Sequence, residues 1–117
     1  MATKSFTSLE QSKKLAGILP LESADYCWGL DVETSHYNSS PYPCAWKDYS
    51  CKEYYIPCWS LAALFKLLPK SAQLEKGNAT ELYRVTLPVE LESSDWHIES
   101  VDACYEMILK LNELKML

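Results

Sequence analysis

Cys58, Trp59 and Ser60 stand immediately before a run of helix formers, and there the chain comes nearest to covalent chemistry. A thiol at a helix start feels the positive end of the backbone dipole, which favours the nucleophilic thiolate. His97, later on a strand, supplies an imidazole that would take the proton, so Cys58 and His97 form a candidate hydrolytic pair. No oxyanion-hole donor and no third member can be named beside them. The plainer expectation is that Cys58 is a small apolar core residue, as free cysteine usually is. Metal chemistry has weaker support. Cys44, Cys51 and Cys58 recur every seven residues, with Cys27 and His36 nearby, but no close Cys-x2–4-Cys pair brings two thiolates onto one turn. Free thiols are expected, with no metal and no cofactor. Glu90, Glu92, Asp95, Glu99 and Asp102 crowd around His97, a composition that suits a cation or acid–base work. It equally suits the solvated face of a two-sided strand, which needs no function.

The aromatics make a different kind of candidate. Tyr42, Trp46, Tyr49, Tyr54 and Tyr55 fall in an irregular stretch with no helical or strand period to assign them all to a core. Tyrosine and tryptophan combine large contact area with a polar handle, which enriches them at interfaces. Three roles are open to them: core filling, a protein interface, or stacking in a small-molecule pocket.

The elements that must position these residues can be read in outline. Thr7-Ser8-Leu9-Glu10 fits a capping box with Thr7 as N-cap, and the helix it starts ends near Gly17, before Pro20. Ser23–Tyr26 is expected to add a short helical turn. From Ser60, Leu61, Leu64, Phe65 and Leu68 recur at helical spacing until Pro69 stops them. From Leu82 to Glu92, Tyr83, Val85, Leu87, Val89 and Leu91 alternate with polar residues, the period of a half-buried strand. Pro88 marks an edge, a bulge or a break in it. Glu92-Ser93-Ser94-Asp95 supplies a turn, after which Trp96 and Ile98 are expected to alternate inward as the second strand of an antiparallel hairpin. Ser100 is expected to cap a last helix from Val101 to about Met116, with Val101, Cys104, Ile108 and Leu111 on one face.

The 117 residues fall within one domain's usual length, and 48% hydrophobic with 23% charged residues is an ordinary globular balance. The expected fold is a single α+β domain over residues 1–117, with a hairpin of two or three strands covered by about three helices. The net charge of −5 is unevenly placed: residues 1–80 hold eight acidic and eight basic side chains, residues 81–117 eight acidic and three basic. With one arginine and no basic run beyond Lys13-Lys14, a nucleic-acid footprint is not expected, and neither is attraction to an anionic membrane surface. No segment reaches the ~18–20 apolar residues of a membrane span. The first residues lack the apolar core of a secretion signal, and the odd cysteine count argues against a disulfide framework, so a cytoplasmic setting is expected.

Three segments carry a resemblance when taken together: Ser8–Leu15 with Ser23-Ala24-Asp25, Pro57–Leu64, and Asp102–Ile108. They resemble uncharacterised small proteins encoded by phages and prophages of gut anaerobic bacteria, nearly end to end, with the aromatic stretch matching least. The resemblance implies synthesis in a bacterial host cell and an accessory role toward host machinery or a host small molecule. The Cys58-Trp59 pair with a later strand histidine is also similar to papain-like cysteine hydrolases, although the glycine-rich surroundings of that motif are missing. The reading favoured by the sequence is a non-enzymatic accessory protein that binds a host protein through Tyr42, Trp46, Tyr49, Tyr54 and Tyr55. Its alternatives are a small cysteine hydrolase using Cys58 and His97, or a protein that sequesters a small molecule in an aromatic pocket.

Overall fold

The computed structural model describes residues 5–31, 36–37, 41–43, 55–77 and 81–117. Among these the chain is α+β, with three helices and two antiparallel sheets, one of four strands and one of three. Contacts divide it into two compact units, Phe6–Ala63 and, chiefly, Leu64–Leu117.

The first unit opens with α1, Leu9–Ala16. Its capping box is set one residue later than the sequence pattern suggests. The Gln11 N–H donates to Ser8 Oγ at 3.2 Å, and the Ser8 N–H donates to Gln11 Oε1 at 2.9 Å. Thr7 is unavailable as a cap because its hydroxyl is buried against Ser12 Oγ, at 2.7 Å. After Pro20 the chain makes a 3-10 turn at Leu21–Ser23, a few residues before the expected turn, and then runs straight into a strand. That strand, β1 (Tyr26–Asp31), organises the four-stranded sheet. β2 (His36–Tyr37) pairs with its end, while β3 (Tyr42–Pro43) and β4 (Tyr55–Cys58) both pair with Tyr26 and Cys27 and so must flank it on opposite edges. The irregular aromatic stretch therefore contains strands at both ends. α1 packs on β4, and Leu15, Leu19, Ala24, Cys27, Cys58 and Trp59 are buried.

α2, Leu61–Leu67, starts where the sequence places it. The Ala63 N–H donates to Ser60 Oγ at 3.2 Å, while the Ser60 N–H and hydroxyl both donate to the Asp25 carboxylate, at 2.9 and 2.5 Å.

In the second unit β5 (Gln73–Lys76), β6 (Tyr83–Leu87) and β7 (Glu92–Ser93) form the three-stranded sheet in that order, so β5 and β7 are its edges. The long expected strand ends at Leu87. Pro88, which has no N–H to offer a ladder, begins a turn over residues 88–91, and Val89 and Leu91 are exposed rather than continuing the apolar face. Beyond β7 the chain returns to β6 only at His97, which exchanges two backbone hydrogen bonds with Tyr83, at 2.6 and 2.7 Å. Trp96 and Ile98 flank that bridge on the opposite face, and both are exposed, which corrects the expectation that they alternate inward. α3, Ser100–Glu113, packs on β6 and buries Val101, Ala103, Cys104, Met107, Ile108 and Leu111, while Val85 and Leu87 are buried on the sheet side. Its N-cap is Glu99, without a side-chain capping bond, and the expected cap Ser100 is instead the buried first residue of the helix.

Leu91 has a φ of 59°, in the left-handed region, and is 87% exposed. A branched side chain there costs about 1–2 kcal/mol, and its exposure means that no core contact offsets the cost. Leu91→Gly is therefore expected to raise stability by about 0.5–1 kcal/mol once glycine's extra unfolded-state entropy is deducted. Urea titration of the variant checks this, and a loss of stability would show that Leu91 makes a compensating contact.

Candidate recognition site

Cys58 lies in a small polar network at the heart of the first unit. The Trp59 N–H donates to Thr7 Oγ1 at 3.2 Å, and the Thr7 N–H donates to Trp59 O at 2.9 Å. Thr7 Oγ1 contacts Cys58 Sγ at 3.4 Å, and the thiol donates to Thr7 O at the same distance. Ser12 Oγ in turn accepts from the Trp28 indole N–H at 3.2 Å. Cys58 is fully buried, and burial pushes its thiol up, with the Asp25 charge adding in the same direction. The Thr7, Ser12 and Trp28 hydrogen bonds pull the other way without reversing the shift. A nucleophile needs the opposite direction and a path for substrate. The helix-start position does not activate this thiol because desolvation of the anion outweighs the dipole.

His97 is held in a structural clasp. Its Nε2 lies 2.7 Å from Glu106 Oε1. The Glu106 carboxylate also accepts the Asp95 N–H, at 3.2 and 3.1 Å, and lies 3.8 Å from Lys110 Nζ, which donates to Ser93 O at 2.6 Å. The Cys58 thiol is thus engaged with Thr7, Ser12 and Trp28, and the His97 ring with Glu106. Of the hairpin carboxylates, Glu90 accepts from the Ser71 hydroxyl at 2.7 Å, and Glu92 sits in β7. No group of three or more His, Cys, Asp or Glu among the described residues is placed to hold a metal ion.

Of the aromatic set, Trp46, Tyr49 and Tyr54 lie outside the described residues. Tyr42 belongs to β3, and Tyr55, half-buried, opens β4 opposite Gly29.

The face of the three-stranded sheet opposite Val85 and Leu87 carries a grouping that the sequence does not announce. Directly paired residues share a face, so Glu75 with Arg84, and Gln73 and Ser93 with Thr86, project together. Arg84 Nε donates to Glu75 Oε2 at 2.7 Å, and its guanidinium lies over the Trp96 ring, 4.6 Å from the centroid. Glu75, Lys76, Gly77, Arg84 and Trp96 line an open groove of about 450 Å³. The alternation around Val85 places Arg84 on the wet face. Gln73-Leu74-Glu75-Lys76, with no β-branched or aromatic residue, shows no strand signal, so the partner strand and Glu75 go unseen. On the same face Thr86 Oγ1 is buried without a hydrogen-bond partner among the described residues. Removing an unsatisfied hydroxyl while keeping the branched shape should be favourable. Thr86→Val is expected to raise stability by about 1 kcal/mol in denaturant titration, and a comparable loss would reveal an unseen partner for the hydroxyl.

No protein-family model, characterised protein or solved structure matches the chain.

Proposed function

We propose that the chain is a non-enzymatic binding protein that recognises a protein partner. The observation that carries this reading is the display of large apolar side chains in the turn that follows β6, where Val89 is 77% exposed and Leu91 87%; Ile98 and Trp96, also exposed, flank His97 at the Tyr83 end of β6. Neighbouring exposed apolar side chains, such as Val89 and Leu91 in one turn, mark interaction surfaces more often than isolated ones do. The buried Cys58 thiol and the clasped His97 weigh against the hydrolase reading. The resemblance to phage and prophage proteins supports a host protein as the partner and the cytoplasm of the bacterial host cell as the setting. Among the described residues no helix is long and apolar enough to cross a membrane. The aromatic segment contributes to the same recognition through Tyr42, Trp46, Tyr49, Tyr54 and Tyr55.

The test is a capture experiment from host lysate with four forms of the protein: wild type, Val89→Ser with Leu91→Ser, Trp46→Ala with Tyr55→Ala, and Cys58→Ser. Circular dichroism checks that each is folded. Truncated interface anchors cost about 2 kcal/mol or more in affinity, so the two double variants should lose the captured protein. Cys58→Ser should retain it. Capture that survives both double variants would overturn the proposal. A folded Cys58→Ser protein that alone lost function would return the hydrolase reading.

A further inference from the structure

The groove on the open face of the three-stranded sheet goes beyond the protein-binding reading and does not depend on it. Arg84 is the chain's one arginine. Its guanidinium is oriented twice over, by the 2.7 Å bond from Nε to Glu75 and by its position over the Trp96 ring. Those contacts engage Nε and the guanidinium plane. They leave the terminal NH2 groups and the Trp96 indole N–H without hydrogen-bond partners among the described residues. The free side-chain groups of Arg84 and Trp96 in the lining are therefore donors, while the one carboxylate, Glu75, spends Oε2 on Arg84. Free donors in a groove favour a ligand group that accepts.

We propose that this groove binds a monocarboxylate carried on an apolar body, the carboxylate taken by the Arg84 terminal nitrogens, the body packed on Trp96. A guanidinium held in a fixed plane suits a planar, two-oxygen acceptor, which it can engage with two parallel hydrogen bonds. The charge count points the same way. Glu75 balances Arg84, so the groove has no surplus positive charge to offset a second or third negative charge, and a monoanion is the better match. The surrounding chain, eight acidic against three basic residues over 81–117, disfavours a more highly charged phosphate. Such a carboxylate has two sources, the C-terminus of a peptide and a free small organic acid.

The experiment titrates the full chain with N-acetyl-glycyl-phenylalanine, with its C-terminal amide, with benzoate and with inorganic phosphate. Binding is followed by the NMR signal of the Trp96 indole N–H, assigned by its loss in Trp96→Phe. Saturable shifts are expected with one or both carboxylates, and none with the amide. Tighter binding of the dipeptide identifies a peptide terminus as the source, and tighter binding of benzoate a free acid. Arg84→Lys keeps the charge but removes the fork, and should weaken the carboxylate by about tenfold or more. Glu75→Gln, which releases the guanidinium from its orienting ion pair, should weaken it by a smaller factor. The proposal fails if the amide binds as well as the acid, if phosphate binds as tightly as both carboxylates, if neither carboxylate shifts the signal, or if Arg84→Lys leaves affinity within twofold. The amide and phosphate comparisons use the unaltered protein, so they decide the matter even if a variant fails to fold.

Discussion

Replacing Trp59 by alanine should remove about 3–5 kcal/mol of stability, the usual cost of deleting a large buried aromatic. Trp59 is fully buried and is the largest of the fully buried side chains. Its effect reaches beyond lost volume, because the indole N–H also makes a hydrogen bond that alanine cannot make. Its N–H and carbonyl bind Thr7, and its indole N–H donates to Ser23 Oγ at 3.0 Å, whose hydroxyl donates in turn to Pro20 O. Trp59 thereby ties the segment before α1, the 3-10 turn and the end of β4 together. Trp59→Phe separates the two contributions: it keeps most of the ring, loses the bond to Ser23, and should cost roughly 1–3 kcal/mol. Denaturant midpoints of the three proteins measure both. A loss under about 1 kcal/mol for Trp59→Ala would contradict its place in the core.

The second large effect is protection of the thiols. Cys27, Cys58 and Cys104 are free and fully buried. At pH 8 in native buffer they should react with a thiol reagent roughly a thousandfold or more slowly than in denaturant, since labelling must await opening of the core. At Cys58 and Cys104 burial compounds the protection by keeping the thiol protonated: it pushes Cys58 up and Cys104 to about 12. This linkage has a definite sign. An unfolded cysteine ionises near its ordinary value, while the folded one holds its proton to higher pH. The folded state is therefore fully favoured below about pH 8.5 and loses ground as pH climbs from about 9 toward 12. Denaturant midpoints should fall across that window, and Cys104→Ala should flatten the fall. Rapid native labelling of Cys58, located by peptide mapping, would instead show an accessible thiol and reopen nucleophilic chemistry.

Where local chemistry and burial agree, the fold was legible in the sequence. The Leu61–Leu68 stripe between Ser60 and Pro69, the Val101–Leu111 stripe and the alternation of Tyr83, Val85 and Leu87 correspond to α2, α3 and β6. The misses have physical causes. β1 reads Tyr-Cys-Trp-Gly-Leu-Asp; Cys27 and Gly29 are buried and Tyr26 and Trp28 half-buried, so the inward residues are small and the outward ones aromatic, and hydropathy does not show the period. β5 lacks strand-forming side chains altogether and is held by its register with β6, with the Glu75–Arg84 ion pair across it. The inward expectation for Trp96 fails because its parity is fixed by a long-range pairing, the His97–Tyr83 bridge, and not by the local alternation after the Glu92–Asp95 turn. The candidate groove was illegible for the same reason, since it joins residues from β5, β6 and the segment after β7. Cys58 was placed correctly before a helix, but its burial is a product of long-range packing that no local pattern encodes.

The pairing of β1 with β4 sets the pace at which the first unit assembles. Trp28 meets Ile56 across 28 positions of chain, whereas β6 and β7 join Leu87 to Glu92 across five. Closing the longer loop costs about 1.5 kcal/mol more in chain entropy before any ladder bond is made. Hairpins of the shorter kind form in about 1–10 μs, and slower folding accompanies pairings distant along the chain. The Leu64–Leu117 unit can therefore nucleate on its own hairpin and helix. The Phe6–Ala63 unit must wait for Tyr55–Cys58 to emerge and find Tyr26–Gly29, so on the ribosome Tyr26–Asp31 spends its first moments with one edge unpaired by β4.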